Sequence, residues 1–170
     1  LTEIDNYCAA EIEKTLTGFK WIADVIKKRE GEKEFIIGAE ESYGYMAGES
    51  VRDKDGVMAA MLIAEMAAWA KDYGKSLYDL LLDVYERFGL FREDLINVVR
   101  EGRAGAEEIE KMMARFRDNP PKEINGSKVL EIYDYKLQKS TNLQSGVVHP
   151  IYLPESNVLQ YFLEDGSKIS

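Results

Sequence analysis

The sequence predicts a mixed α/β fold in its first part and an α+β fold with an antiparallel sheet in its second part. Helix and strand patterns alternate up to about Gly89, which is typical of α/β domains. Strand patterns dominate after the helix that Pro120 and Pro121 end, and all four prolines lie beyond Gly89. We therefore expect a domain boundary at about Gly89, with one domain at 1–89 and another at 90–170.

The first elements follow from short periodic patterns. Residues 11–16 alternate between polar and apolar side chains, which predicts a short strand. A helix is predicted from about Phe19 to Arg29, and residues 34–37 predict a second, buried strand. Residues 38–55 are rich in glycine and charge and predict a long loop, and such loops are usually functional or disordered.

Two helices are predicted next by their capping residues. Asp55 precedes a helix that runs to about Lys71, and its nearly continuous apolar and alanine content predicts that it is buried. Ser76 opens the following helix with Asp79 three residues later, which is a capping-box pattern. The apolar stripe of this helix ends at Phe88.

Beyond Gly89 the patterns predict a strand, a helix and then further strands. The predicted segments are a strand at 95–99, a helix at 106–116, strands at 129–135 and 158–162, and turns at 125–127 and 164–167. Gly102 and Gly105 precede the helix. They could form a phosphate nest, but a strand-to-helix turn is favoured.

Composition excludes several classes of function. The single Cys8 rules out an internal disulfide and favours a reducing cytoplasm, and the single His149 excludes a multi-histidine metal site. The net charge of −9 argues against nucleic acid or an anionic membrane as a partner. The chain begins at Leu1 within a helical pattern and stops at Ser170 within a strand pattern, so we expect a fragment.

The most informative stretch runs from Gly38 to Gly44 and reads Gly-Ala-Glu-Glu-Ser-Tyr-Gly. It follows an apolar run, and open α/β sheets bind ligands where their strands end. A carboxylate accepts hydrogen bonds from neighbouring sugar hydroxyls, and a serine hydroxyl donates or accepts. The stretch therefore predicts a polyol-binding loop, with a solvated acidic turn as the alternative.

Three stretches in order carry a resemblance to a known family. The stretch at 38–44 is preceded by Leu-Thr-Gly-Phe-Lys-Trp-Ile at 16–22 and followed by Arg-Asp-Lys-Asp-Gly at 52–56. Together they closely resemble signatures of the α-D-phosphohexomutases, the phosphoglucomutases and phosphomannomutases. The resemblance implies a four-domain enzyme, of which 1–89 is most of the third domain and 90–170 the front of the fourth.

The resemblance also implies which residues bind substrate. Glu40 and Ser42 match positions that bind sugar hydroxyls, whereas Glu41 is expected to point the other way. Thr17 and Lys20 match positions near the substrate at a helix start, where amide groups favour an anion. Lys54 matches a substrate contact, although charged runs of its kind are usually solvated surface.

The parts of the family's active site that do chemistry are missing from the sequence. We find no Thr-Ala-Ser-His-Asn phosphoserine motif, no Asp-Gly-Asp-x-Asp-Arg magnesium loop and no Arg-Pro-Ser-Gly-Thr phosphate loop. We therefore assign no catalytic and no metal-binding residue, and we expect the fragment alone to be inactive. Mg²⁺ and glucose 1,6-bisphosphate are implied for the full-length enzyme, with ligands outside this chain.

The implied reaction interconverts hexose 1-phosphate and hexose 6-phosphate through a phosphoserine enzyme and a sugar 1,6-bisphosphate. Its partners would be a hexose phosphate and the remaining domains of the same chain. The alternatives are a phosphopentomutase or a sugar-bisphosphate synthase of the same fold, or a non-catalytic sugar-phosphate-binding module. No residue distinguishes glucose from mannose.

Overall fold

The structure is a computed structural model that describes residues 7–170. It divides the chain into two compact units, Leu1–Asp94 and Leu95–Ser170. Helices and antiparallel strands confirm the predicted mixed α/β fold class. The predicted domains 1–89 and 90–170 stay a prediction, because compactness alone does not show that a segment folds by itself. The predicted helix at Leu1 lies outside the described residues.

The first unit is built around a β-hairpin. Its elements in chain order are helix α1 (Phe19–Arg29), strands β1 (Ile37–Glu40) and β2 (Gly44–Ala47), and helices α2 (Gly56–Asp72) and α3 (Leu77–Phe88). Strands β1 and β2 pair in antiparallel register, with Glu40 opposite Gly44. A small core forms where Phe19 and Ile26 of α1 meet Met46 of β2, which is only 1% exposed.

The predicted caps of α2 and α3 are confirmed. The Asp55 carboxylate accepts hydrogen bonds from the amides of Val57 and Met58, each at 3.0 Å. The Ser76 hydroxyl accepts from the Asp79 amide at 3.2 Å, and the Asp79 carboxylate accepts from the Ser76 amide at 2.7 Å. The hydrogen bonds from the Ser76 side chain and backbone lower the pKa of Asp79. These contacts satisfy amides that a helix start leaves without partners.

Two predicted strands are wrong. Residues 11–16 and 95–99 belong to no strand. Both segments are short, and a short sequence pattern does not by itself guarantee pairing in a sheet. The first segment instead supplies Glu13, whose carboxylate accepts a 2.7 Å hydrogen bond from Arg29 of α1.

Burial of the first unit was also predicted wrongly. The strand predicted at 34–37 begins only at Ile37, which is 57% exposed. Helix α2 has one buried residue, Ala70, whereas Val57 is 84% and Trp69 53% exposed. This helix packs against β2 and α3, and the rest of its apolar surface is not covered by the described residues.

The second unit is a helix on an antiparallel sheet. Helix α4 (Gly102–Asp118) precedes six strands: β3 (Glu123–Ile124), β4 (Ser127–Asp134), β5 (Lys139–Asn142), β6 (Val148–Pro150), β7 (Leu159–Leu163) and β8 (Lys168–Ile169). Their order is β6-β5-β4-β7-β8, with β3 also paired to β4. Met113 of α4 packs on a core formed by Val129, Leu159, Tyr161 and Leu163.

The helix predicted at 106–116 and the strands predicted at 129–135 and 158–162 are confirmed with shifted ends, and so are the two predicted turns. Asn125 and Gly126 have φ values of 49° and 81° and join β3 to β4 as a tight turn. Residues 164–167 join β7 to β8. Ser170, predicted within a strand, lies just past β8. Gly102 and Gly105 lie inside the first turn of α4, and no strand directly precedes this helix in the described residues, so the favoured strand-to-helix turn is wrong. The phosphate nest stays a prediction.

A largely buried ion pair connects α4 to the sheet. The Arg117 Nε atom donates to the Asp134 carboxylate at 2.8 Å, and the two side chains are 13% and 6% exposed. Asp134 also accepts from the amides of Lys136 and Leu137. Burial raises the pKa of Tyr161, and its hydroxyl donates to the Phe116 carbonyl at 3.2 Å. These contacts join the end of α4 to β4 and β7.

Candidate functional site

The stretch predicted as a polyol-binding loop is a β-hairpin. Gly38, Ala39 and Glu40 belong to β1, and residues 41–43 form the turn that leads into β2. The long loop predicted at 38–55 is therefore wrong in its first part, because residues 38–40 and 44–47 lie in two strands that pair antiparallel. Tyr43 has a φ of 61°, a left-handed conformation that costs a non-glycine residue about 1–2 kcal/mol.

One face of the hairpin lies against the start of α1. Gly38 and Glu40 point to the same face because side chains alternate along a strand. A Cβ atom at Gly38 would lie 3.0 Å from Ile22. A Cβ atom at Gly44 would lie only 2.5 Å from the Phe19 ring and 3.4 Å from Glu40 Cγ. Glycine at these positions thus lets the helix approach, and Glu40 is held beside the Phe19 ring.

Only one of the two carboxylate oxygens of Glu40 has a hydrogen-bond partner among the described residues. Its Oε2 atom accepts a 2.7 Å hydrogen bond from the Ser42 hydroxyl. Its Oε1 atom is buried and has no hydrogen-bond partner among the described residues. A buried carboxylate oxygen without a donor is costly, because burial removes the water that would otherwise solvate it. The arrangement is suited to accept a hydrogen bond from a hydroxyl-bearing ligand.

Thr17 and Lys20 lie at the start of α1, as predicted. The Thr17 hydroxyl donates to Glu41 Oε1 at 2.9 Å, which joins this helix end to the turn. Gly18 is the N-cap, and no side chain caps the helix. The Lys20 ammonium lies 4.8 Å from the centre of the Trp21 ring. The helix start therefore carries uncapped amides and an exposed cation.

Lys54 lies near the Phe19 ring, which packs against the hairpin. Its ammonium lies 5.1 Å from the centre of the Phe19 ring. The next residue, Asp55, donates its amide to the Tyr45 carbonyl at 2.9 Å, which ties this segment to β2. Arg52 instead pairs with Glu30 at 2.8 Å. The structure thus gathers Glu40, Thr17 and Lys54 around the turn and the Phe19 ring.

Sequence reasoning missed Phe19. This ring packs under Gly44 and contacts the Lys54 ammonium, whereas the sequence patterns placed it in the 16–22 stretch and at a helix start without assigning it a role. The available signal was an aromatic residue at a helix start beside the glycine that closes the turn. A surface hollow of about 360 Å³ in the described part of the chain is lined by none of the predicted site residues; its lining is Glu13, Val25, Lys28, Arg29 and Glu32.

We expect Gly44→Ala to disrupt this site. The new methyl group would collide with the Phe19 ring at 2.5 Å, and overpacking typically costs about 1–3 kcal/mol. The ring or the turn must shift, and Glu40 would move with them. Urea unfolding followed by the fluorescence of Trp21 and Trp69 measures the loss. Gly56→Ala is the matched control for an added methyl group, since no atom lies within 4 Å there and its φ is not in the left-handed region. Equal losses in both variants would contradict the packing argument.

Residues 4–88 match the family model described as phosphoglucomutase/phosphomannomutase, alpha/beta/alpha domain III. The chain therefore belongs to the phosphoglucomutase/phosphomannomutase family.

Two similar proteins are both named phosphoglucomutase. A phosphoglucomutase of Staphylococcus epidermidis is 39% identical over 161 residues, covering 95% of this chain and 30% of the relative. A phosphoglucomutase of Staphylococcus aureus is 38% identical over 161 residues, covering 95% and 29%. The chain thus spans about 30% of the length of these curated relatives. No solved structure matches it significantly.

Proposed function

We propose that this chain is part of an enzyme that interconverts hexose 1-phosphate and hexose 6-phosphate, and that its hairpin turn binds the sugar hydroxyls. The observation that carries the proposal is the buried, unpartnered Oε1 atom of Glu40 beside the exposed Ser42 hydroxyl. Family membership supports it, because the matched relatives are named phosphoglucomutase.

The turn would bind and orient the sugar without doing covalent chemistry. Glu40 accepts hydrogen bonds through Oε1, and Ser42, whose proton is donated to Glu40, accepts through its free lone pairs. A sugar that must present both of its ends in succession can be held by ring hydroxyls near its centre. Two acceptors side by side can hold such hydroxyls in either orientation.

Lys20, Lys54 and the start of α1 would favour the phosphate groups. Uncapped amides at a helix start attract anions, and the two ammonium groups add positive charge to a chain of net charge −9. Phosphoryl transfer itself is assigned to a phosphoserine and Mg²⁺ elsewhere in the enzyme. Residues 7–170 contain no group of three or more His, Cys, Asp or Glu side chains that could hold a metal ion.

The remaining domains of the same chain are the proposed partners. Helix α2 exposes a broad apolar surface that includes Val57, Met61 and Trp69, and large exposed apolar patches mark interaction sites. We propose the cytoplasm as its location. In the described part of the chain, no helix has the length and hydropathy that a membrane span requires.

The test is an assay of the complete enzyme that contains this chain. We expect it to convert glucose 1-phosphate or mannose 1-phosphate into the 6-phosphate when Mg²⁺ and glucose 1,6-bisphosphate are added. The 170-residue chain alone should show no turnover under the same conditions. Turnover of ribose 1-phosphate only would favour the phosphopentomutase alternative, and no turnover of any sugar phosphate would favour a binding module.

A further inference from the structure

Glu41 is the residue of the turn to which the proposed function gives no role. Its carboxylate accepts the hydrogen bond that Thr17 donates at 2.9 Å, across 24 positions in the sequence. Its neighbour Glu40 is engaged separately by Ser42. The two adjacent carboxylates therefore perform different tasks, one at the tip of the turn and one at the start of α1.

We infer that Glu41 is a positioning residue that orients the Thr17 hydroxyl toward a sugar hydroxyl. A threonine hydroxyl has one proton to donate and two lone pairs that accept. Because the proton is directed to Glu41, Thr17 faces a ligand only as an acceptor. An ionised phosphate oxygen cannot donate, so Thr17 in this orientation binds a hydroxyl and not a phosphate.

The local backbone makes this contact important. Gly18, which follows Thr17, has a φ of 121°, and no side chain caps α1. Glycine has more conformational freedom than any other residue, so the segment before the helix needs a further contact to fix Thr17. The hydrogen bond to Glu41 supplies this contact and fixes the position of Thr17 relative to Glu40 and Ser42. This inference rests on the proposed function.

The experiment is a double-mutant cycle in the complete enzyme, using glucose 1-phosphate as substrate. Loss of one hydrogen bond corresponds to about a three- to tenfold change. We expect Glu41→Ala to raise KM by that factor, with kcat little changed because the contact serves binding. Glu41→Gln should restore KM, since its amide oxygen still accepts. In a Thr17→Val background, Glu41→Ala should have no further effect.

Controls separate this inference from the proposed function. Glu49→Ala removes an exposed carboxylate from the segment between β2 and α2. This variant should leave KM unchanged. If the Thr17 and Glu41 effects simply add while Glu40→Ala impairs the enzyme, the inference fails and the proposed function stands. If Glu40→Ala leaves activity intact, both fail. If Glu41→Ala also lowers the unfolding temperature so far that part of the enzyme is unfolded under the assay conditions, the KM change would reflect lost stability, and the positioning role would be overturned.

Discussion

In the complete enzyme, Glu40→Ala should lower kcat/KM by about 30- to 1000-fold. The estimate corresponds to about 2–4 kcal/mol for a charge-assisted contact in a partly dry site. The substitution removes both the Oε1 atom, which is buried without a partner among the described residues, and the acceptor of the Ser42 hydroxyl. Steady-state kinetics with glucose 1-phosphate at saturating glucose 1,6-bisphosphate measure the loss.

Two further variants sharpen this prediction. Ser42→Ala should cost less, about 1–2 kcal/mol, because it removes a neutral hydroxyl. Glu40→Gln keeps the size of the side chain but loses the charge, so its activity should lie between those of the wild type and Glu40→Ala. Near-normal kcat/KM in Glu40→Ala would remove Glu40 from the site and with it the main support for the proposed function.

The second large effect is expected on stability. Asp134→Ala should destabilise the second unit by about 3–5 kcal/mol, because it leaves the Arg117 guanidinium buried without its carboxylate. It also removes the acceptor for the amides of Lys136 and Leu137. Hydrogen exchange resolved by peptide should show lost protection in β4 and β7, where Asp134 pairs with Leu159.

A pair on the same helix provides the control. Arg103 and Glu107 form an ion pair at 3.1 Å on α4, with side chains 94% and 53% exposed. Glu107→Ala should cost only about 0.3–0.5 kcal/mol, as is usual for exposed pairs at this spacing. A replacement of the buried pair by Arg117→Met and Asp134→Leu together should recover part of the stability, because no charge is then left alone. The amides of Lys136 and Leu137 would still lack their acceptor. Similar exchange in Asp134→Ala and Glu107→Ala would contradict the argument.

The sequence was most informative where local chemistry determines the structure. The limits of α1, the Asp55 cap and the Ser76–Asp79 capping box were predicted because each depends on residues within one turn of helix. The Asn125-Gly126 turn was predictable for the same reason, since few residues tolerate positive φ. Helix limits, helix caps and tight turns in this chain were therefore predicted correctly from the sequence alone.

Features that depend on distant partners were predicted less well. The short patterns at 11–16 and 95–99 indicated strands, but a strand forms only by pairing with a neighbouring strand, which a local pattern does not specify. The apolar content of α2 predicted burial, but burial depends on what covers the helix. The candidate site residues were identified from three motifs, whereas their arrangement around the Phe19 ring depends on how the hairpin packs on α1.

The contact between Gly44 and Phe19 has a consequence for protein engineering. Because the ring fills the space that a side chain at position 44 would need, neither residue can be enlarged unless the other shrinks. Substitutions at the two positions should therefore be correlated in functional variants. Libraries that aim to change sugar preference should therefore hold both positions constant, together with Glu41 and Ser42, whose side chains are hydrogen-bonded to Thr17 and Glu40.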